Sequence, residues 1–176
     1  MGRVLTRTLM QYAHKGRQGR HWYSKARKVV KLLAQARDKP EHYVADVLAL
    51  CSPRMSVNRS LKVANQYLQS GFLFPDVIRS TKRALLHYEV TRQIRGPKTG
   101  TFARVLKGDN SLCVVDTHMA RAFGFDPRQA ARKWCRARMI KRVKRIFHEL
   151  NWTVAQTQAA IWSGYYQTAY PTGRVP

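Results

Sequence analysis

Wherever apolar residues recur regularly in this chain, they do so at intervals of three and four, and no stretch alternates with a period of two. That pattern admits helices and offers no strand from which a sheet could grow, so the expected fold is all-α. Trp22 to Ala36 carries Tyr23, Ala26, Val29, Val30, Leu33 and Ala34 at helical spacing, with Lys25, Lys28, Lys31 and Arg37 on other faces. A helix opening at Pro40, with Tyr43, Val44, Val47, Leu48 and Leu50, is apolar enough to be central in a bundle. Ser56 is placed to cap the next helix, faced by Val57, Leu61, Ala64 and Leu68, and Gly71 ends it. Pro75-Asp76 reads as the start of another helix, with Val77, Ile78, Leu85 and Leu86 inward. Gly96-Pro97 punctuates the chain before a helix over Lys98 to Gly108 with Phe102, Val105 and Leu106 inward. Asp116 opens a short helix that Gly124 stops. Asp126-Pro127 predicts one long helix to Leu150, with a buried stripe through Ala131, Trp134, Cys135, Val143 and Ile146. Thr153 caps the last helix. The expectation is a bundle of roughly eight to ten short helices, at the lengths such patterns usually give.

The length, 176 residues, suits one domain. Residues 1–21 are basic and glycine-interrupted, and read as an arm. Within it Leu5, Leu9, Met10 and Ala13 could form a short helix, and Gly16 to Gly19 a loop. Residues 22–170 are expected to form the domain and 171–176 a tail.

Charge constrains the partner. Lys and Arg number 33 against 9 Asp and Glu, a formal net charge of +24. Such an excess repels itself, and a polyanion is its usual complement. Nucleic acid comes first. A membrane surface is disfavoured as partner, because no run of about 20 apolar residues occurs, and no signal-peptide pattern opens the chain. Cys51, Cys113 and Cys135 are far apart and lack CxxC spacing, which excludes a cysteine-built zinc or iron–sulfur site and fits a reducing cytoplasm. The six histidines show no ligand spacing, so no metal is expected, and no glycine-rich phosphate loop points to an NTPase. No cofactor is expected. From Arg128 to Arg145 the chain holds nine Lys or Arg and no acid. As a solvated face this run would still bind polyanions, with a strong salt dependence. Most of the aromatics, including Trp134, Trp152, Trp162, Tyr165 and Tyr166, lie at helical spacing and read as core. Trp22 follows a basic loop and stands apart.

Two residues carry most of the chemical interest. Lys98 and Asp116 open successive helices, eighteen residues apart. An aspartate there is first of all a helix cap, and one lysine among many is first of all a solvated charge. Each, however, follows a positioning segment: a Gly-Pro turn before Lys98, and the apolar run Leu112-Cys113-Val114-Val115 before Asp116. Such a pair suits cleavage of an N-glycosidic bond. A fixed carboxylate stabilises positive charge developing on the sugar, or activates water. An amine can attack the anomeric carbon, expel the base and form a Schiff base that permits β-elimination of the strand.

The segment from Gly96 resembles the helix-hairpin-helix DNA glycosylases of the endonuclease III type. In that family a hairpin glycine leads into Lys-Thr-Ala, and Val-Asp-Thr-His follows with its aspartate eighteen residues after the lysine. Here Lys98-Thr99-Gly100 precedes Val115-Asp116-Thr117-His118-Met119-Ala120-Arg121 at that spacing. Upstream, the family's Leu-Leu-Ser and Ser-Val-Asn-Lys are matched by Leu48-Ala49-Leu50-Cys51-Ser52 and Ser56-Val57-Asn58-Arg59. The hairpin departs from Leu-Pro-Gly-Val-Gly, reading Arg92-Gln93-Ile94-Arg95-Gly96, and the C-terminal four-cysteine motif is missing, so no iron–sulfur cluster is implied.

The resemblance is to a compact, phage-type member. It implies an all-α bundle of that fold, Asp116 as the catalytic carboxylate, and Lys98 as the Schiff-base nucleophile. Duplex DNA with a flipped or damaged base would be the partner. Gly96 and its neighbours Arg95 and Thr99 would hold a phosphate through the hairpin. Ser52 to Arg54 would lie in a loop pressed into the duplex, and His118 would be structural. Arg104, Arg128, Arg132 and Lys133 are further phosphate contacts expected from charge. Three alternatives stay open: a DNA-binding protein of this fold without chemistry, a viral base-modification enzyme, and a ribonucleoprotein component.

Overall fold

The computed structural model describes residues 4–73 and 75–171. Among these, nine α-helices and two 3₁₀ helices account for the regular structure, and no strand occurs. The fold is all-α, as the spacing predicts. It divides into two units, one formed by residues 26–108 and the other by residues up to 25 together with 109 onward. Each has its own apolar core. The domain expected over 22–170 takes in parts of both units.

In the 26–108 unit the centre is α3 (Glu41–Cys51), packed against α4 (Val57–Ser70), α5 (Arg79–Thr91) and α6 (Pro97–Leu106). Every residue of α3 from Val44 to Cys51 is buried. Each fully buried Val or Leu there contributes roughly 1.5–3 kcal/mol. The remaining turns of α2 (Trp22–Arg37) add Val30 and Ala34 to this core. Ser56 caps α4 by accepting from the Arg59 N–H, and Gly71 ends it at φ 72°, a left-handed conformation that glycine adopts without steric cost.

Helix α5 opens at Arg79, not at Pro75. Asp76 is engaged by the Arg59 guanidinium, so it does not cap a helix, and Val77 enters the core ahead of the first turn. Leu86, expected inward, is 68% exposed, while Thr81, Leu85 and Tyr88 form the buried face. Gly100 lies within α6 with open space where a Cβ would stand. Gly100→Ala is therefore expected to stabilise the protein by about 0.5–1 kcal/mol, read as a higher urea midpoint. An unchanged or lower midpoint would contradict the open packing at this site.

In the other unit α9 (Val154–Ala169) is central, packed against α1 (Thr6–Lys15), α7 (Thr117–Ala122) and α8 (Lys133–Leu150). Thr153 closes a reciprocal capping box with Gln156 at its start. The basic stretch 1–21 is not an arm over its described part. Leu9 and Ala13 of α1 are fully buried, and a 3₁₀ helix spans Arg17–His21 where a loop was expected. Gly16 marks a close approach: a Cβ there would lie 2.1 Å from the Ala160 carbonyl oxygen. Residues 1–3 of the expected arm and 172–176 of the expected tail lie outside the described residues.

The expected long helix from Pro127 is broken. Residues Pro127–Ala131 form a 3₁₀ turn capped by Asp126, and Arg132 is extended (ψ 132°) before α8 begins. On one continuous helix Ala130 and Cys135 would point roughly 140° apart. The break lets both be buried. The buried stripe of α8 is Cys135, Met139, Val143 and Ile146, whereas Ala131 is exposed and Trp134 is 47% exposed. No helix among the described residues is long and apolar enough to cross a membrane.

Candidate active site

Asp116 belongs to the unit centred on α9. The run Cys113-Val114-Val115 is buried and lies outside any helix, and delivers Asp116, itself extended, to the N-cap of α7. Its Oδ1 accepts from the Met119 N–H at 2.8 Å, as a capping aspartate does. Its Oδ2 accepts a longer hydrogen bond, 3.3 Å, from Trp162 Nε1–H on α9. The carboxylate is thus held at both oxygens from two helices, and remains partly exposed.

Around it stands a column of rings. Trp162 and Tyr166 stack with centroids 5.4 Å apart, and Tyr170 follows Tyr166 at 5.2 Å. His118 lies against all three, with edge-on contacts to Trp162 and Tyr170. Its Nδ1 is buried and makes no hydrogen bond. The Asp116 charge reaches the buried groups beside it. Burial pushes the Cys113 thiol up to about 12, with Asp116 adding to the effect. Burial also raises Tyr23 well above its ordinary value, with Cys113 and Asp116 contributing, and its hydroxyl donates to Gln158 Oε1 at 2.6 Å.

Lys98 belongs to the other unit, at the second position of α6, and is partly buried. Gly96 precedes it at φ 91°, a conformation costly for any side chain, and Pro97 takes the first helical position. No side chain caps this helix, so its first N–H groups have no partner within it. Arg95 is exposed and Thr99 partly buried beside this turn.

The C-terminal ends of α5 and α6 are each anchored by polar groups that the sequence reading did not single out. Glu89 accepts from Tyr43 at 2.6 Å and from Tyr67 at 3.1 Å, and pairs with Arg92 at 2.8 Å. The Arg92 guanidinium lies over the Tyr43 and Tyr88 rings. Burial pushes Glu89 upward, but the two tyrosine hydroxyls and Arg92 outweigh it and hold the carboxyl below its usual range. The Tyr43 hydroxyl is pushed up to about 12 by burial and by Glu89. Asp46, buried on α3, accepts from Tyr88 at 2.7 Å and pairs with Lys107 at 2.6 Å, just past the end of α6. Removing Lys107 would leave Asp46 buried with half its partners.

The other residues expected to meet DNA are distributed as follows. Ser52 closes α3 and donates to the Ala49 carbonyl at 2.8 Å. Arg54 is exposed with φ 59°, and Arg104 is exposed in the last turn of α6. Arg128, Arg132 and Lys133 are exposed around the break before α8. Arg142, one of the nine cations counted from Arg128, is not a free surface charge: it donates to the Val4 carbonyl at 2.6 Å and lies over the Phe123 ring. Thus Lys98 and its hairpin neighbours share the unit built on α3, while Asp116 and the α8 cations share the unit built on α9. The ring column beside Asp116 was not singled out in the sequence. Its signal was the four-residue spacing of Trp162, Tyr166 and Tyr170, which reads equally as core.

No curated protein and no solved structure matches this chain. A family model described as a family of unknown function, DUF7178, does match, over residues 6–167, and the chain belongs to that family.

Proposed function

We propose that this protein binds duplex DNA, flips a nucleotide from the stack and cleaves its N-glycosidic bond, as a compact member of the helix-hairpin-helix DNA glycosylase type. The observation that carries this reading is the seat of Asp116. Its carboxylate is fixed by one backbone and one indole N–H beside a column of aromatic rings. A fixed carboxylate stabilises an oxocarbenium-like sugar without having to reorganise. Rings at its side offer faces for an extruded base. The charge of +24 fits a phosphate-rich partner, and the uncapped start of α6 after Gly96 fits phosphate contact. The three buried free cysteines accord with work in the cytoplasm of a bacterial or phage-infected cell.

In this reading the Lys98 amine attacks C1′, and the base departs with the electrons of the glycosidic bond. The amine loses its protons as the sugar ring opens to an imine. Loss of a C2′ proton then expels the 3′ phosphate. The biological setting is base excision. Borohydride trapping tests it. The protein is incubated with duplexes holding an abasic site, uracil, an oxidised purine or thymine glycol, and reduced. A covalent adduct that Lys98→Ala abolishes is the expected result. Intact binding with neither adduct nor base release on any duplex would overturn the excision reading and leave DNA binding or base modification.

A further inference from the structure

On the 26–108 unit, a groove of about 370 Å³ has Leu50 among its lining and is walled by Arg79, Ser80, Arg83, His87 and Arg95. Its volume is at the lower end of cavities that take small ligands, which suits one nucleotide better than a folded partner. No carboxylate lines it. Of the five carboxylates in this unit, three are committed elsewhere: Asp46 to Lys107, Asp76 to Arg59 and Glu89 to Arg92. Arg79, Arg83 and Arg95 are exposed, and none makes an ion pair among the described residues.

The charges on this wall oppose one another. Arg79 and Arg83 are four residues apart on α5, the spacing at which like charges repel across a helix face. Arg79 occupies the first turn of α5, where the helix dipole is positive. That turn carries no acid and no side-chain cap. Arg95 adds a third guanidinium from the turn before α6. An anion seated in the groove removes all three conflicts at once. Guanidinium groups favour phosphate oxygens in particular, through paired N–H donors.

We propose that this groove binds a phosphodiester of the nucleic-acid backbone, with the phosphate on Arg79, Arg83 and Arg95 and the sugar face toward Leu50. The inference rests on the nucleic-acid-binding reading above. It does not rest on the chemistry assigned to Lys98 and Asp116. A backbone phosphate is favoured over a free one because Arg95 adjoins Gly96 and the uncapped start of α6. One strand can therefore run from the groove to that turn.

The test is Arg79→Gln/Arg83→Gln in the full chain, with Lys28→Gln/Lys31→Gln as the control that removes two exposed charges elsewhere on the same unit. Binding of a labelled, undamaged duplex is followed by anisotropy over a salt series, and circular dichroism checks folding. The arginine variant is expected to flatten the log–log salt slope by about 0.9 for each phosphate it no longer neutralises, while the lysine control keeps the wild-type slope. A folded arginine variant with the wild-type slope overturns the proposal. So does thymidine monophosphate binding that the arginine variant loses while its DNA salt slope is unchanged, since the groove would then serve a free nucleotide. Absence of salt-dependent duplex binding by the wild type sinks both this inference and the DNA-binding reading. Normal binding without adduct or base release sinks only the excision chemistry.

Discussion

On the proposed excision reading, Asp116→Asn is expected to leave the protein folded and to slow base release by about 10²–10³-fold, the effect of removing one preorganised electrostatic partner of a transition state. Asparagine caps helices as well as aspartate does. Its amide oxygen can still accept from the Met119 N–H. Its amide nitrogen then faces the Trp162 Nε1–H, where Asp116 presented an acceptor. Two donors meeting cost about 1 kcal/mol of stability, well short of unfolding a domain. The variant therefore separates charge from capping, which alanine would not. Single-turnover base release, measured with duplex saturating, is the appropriate readout. Wild-type rates in a folded Asp116→Asn protein would remove the carboxylate from the mechanism.

Gly164→Val is expected to destabilise the protein by about 3 kcal/mol or more, at the upper end of overpacking costs. A Cβ on Gly164 would lie 1.9 Å from the Tyr12 carbonyl oxygen and 2.7 Å from its carbon. Both atoms are backbone, so no rotamer change relieves the clash, and α1 must move off α9. Gly16 makes the reciprocal approach, with Ala160 and Gly164 as its neighbours. Gly164→Ala places the same Cβ against the Tyr12 carbonyl and is also expected to destabilise the protein, by less than valine because it lacks the two γ-methyls and has about 0.5 kcal/mol better helix propensity. Urea unfolding gives the magnitudes, and amide exchange in α1 locates the damage. A Gly164→Val midpoint equal to wild type would show that the two helices are not in backbone contact in solution.

The features legible in the sequence were those governed by local chemistry. Ser56, Asp116 and Thr153 cap helices because a short oxygen-bearing side chain reaches the third N–H after it, and that rule needs no tertiary knowledge. The centrality of α3 followed from its apolar content. Glycine was ambiguous. Gly71 ends a helix, as its position suggests, whereas Gly16, expected to open a loop, admits a neighbouring backbone. The break at Arg132 left no local mark, since it involves an ordinary residue in extended conformation, set by where Ala130 and Cys135 must be buried. At the candidate site, the positions of Lys98 and Asp116 at helix starts were readable. The indole contact to Asp116 was not, because it joins residues 46 apart in the chain. The anchoring of Glu89 by Tyr43 and Tyr67 was hidden for the same reason.

The division of the chain into 26–108 and the flanking segments bears on the order in which it can fold. The 26–108 unit is contiguous, so all its partners have been synthesised by the time residue 108 appears. It can close as it leaves the ribosome. The other unit must wait. Leu9 and Ala13 have their burial partners on α9, which begins at Val154, so α1 is covered only after a long stretch of later chain has been made. Contacts of such long sequence separation form slowly because loop closure comes before any gain from them. During that interval α1 presents an apolar stripe flanked by cations to the cell. A longer interval uncovered is therefore expected to lower the share of newly made chain that reaches the native state.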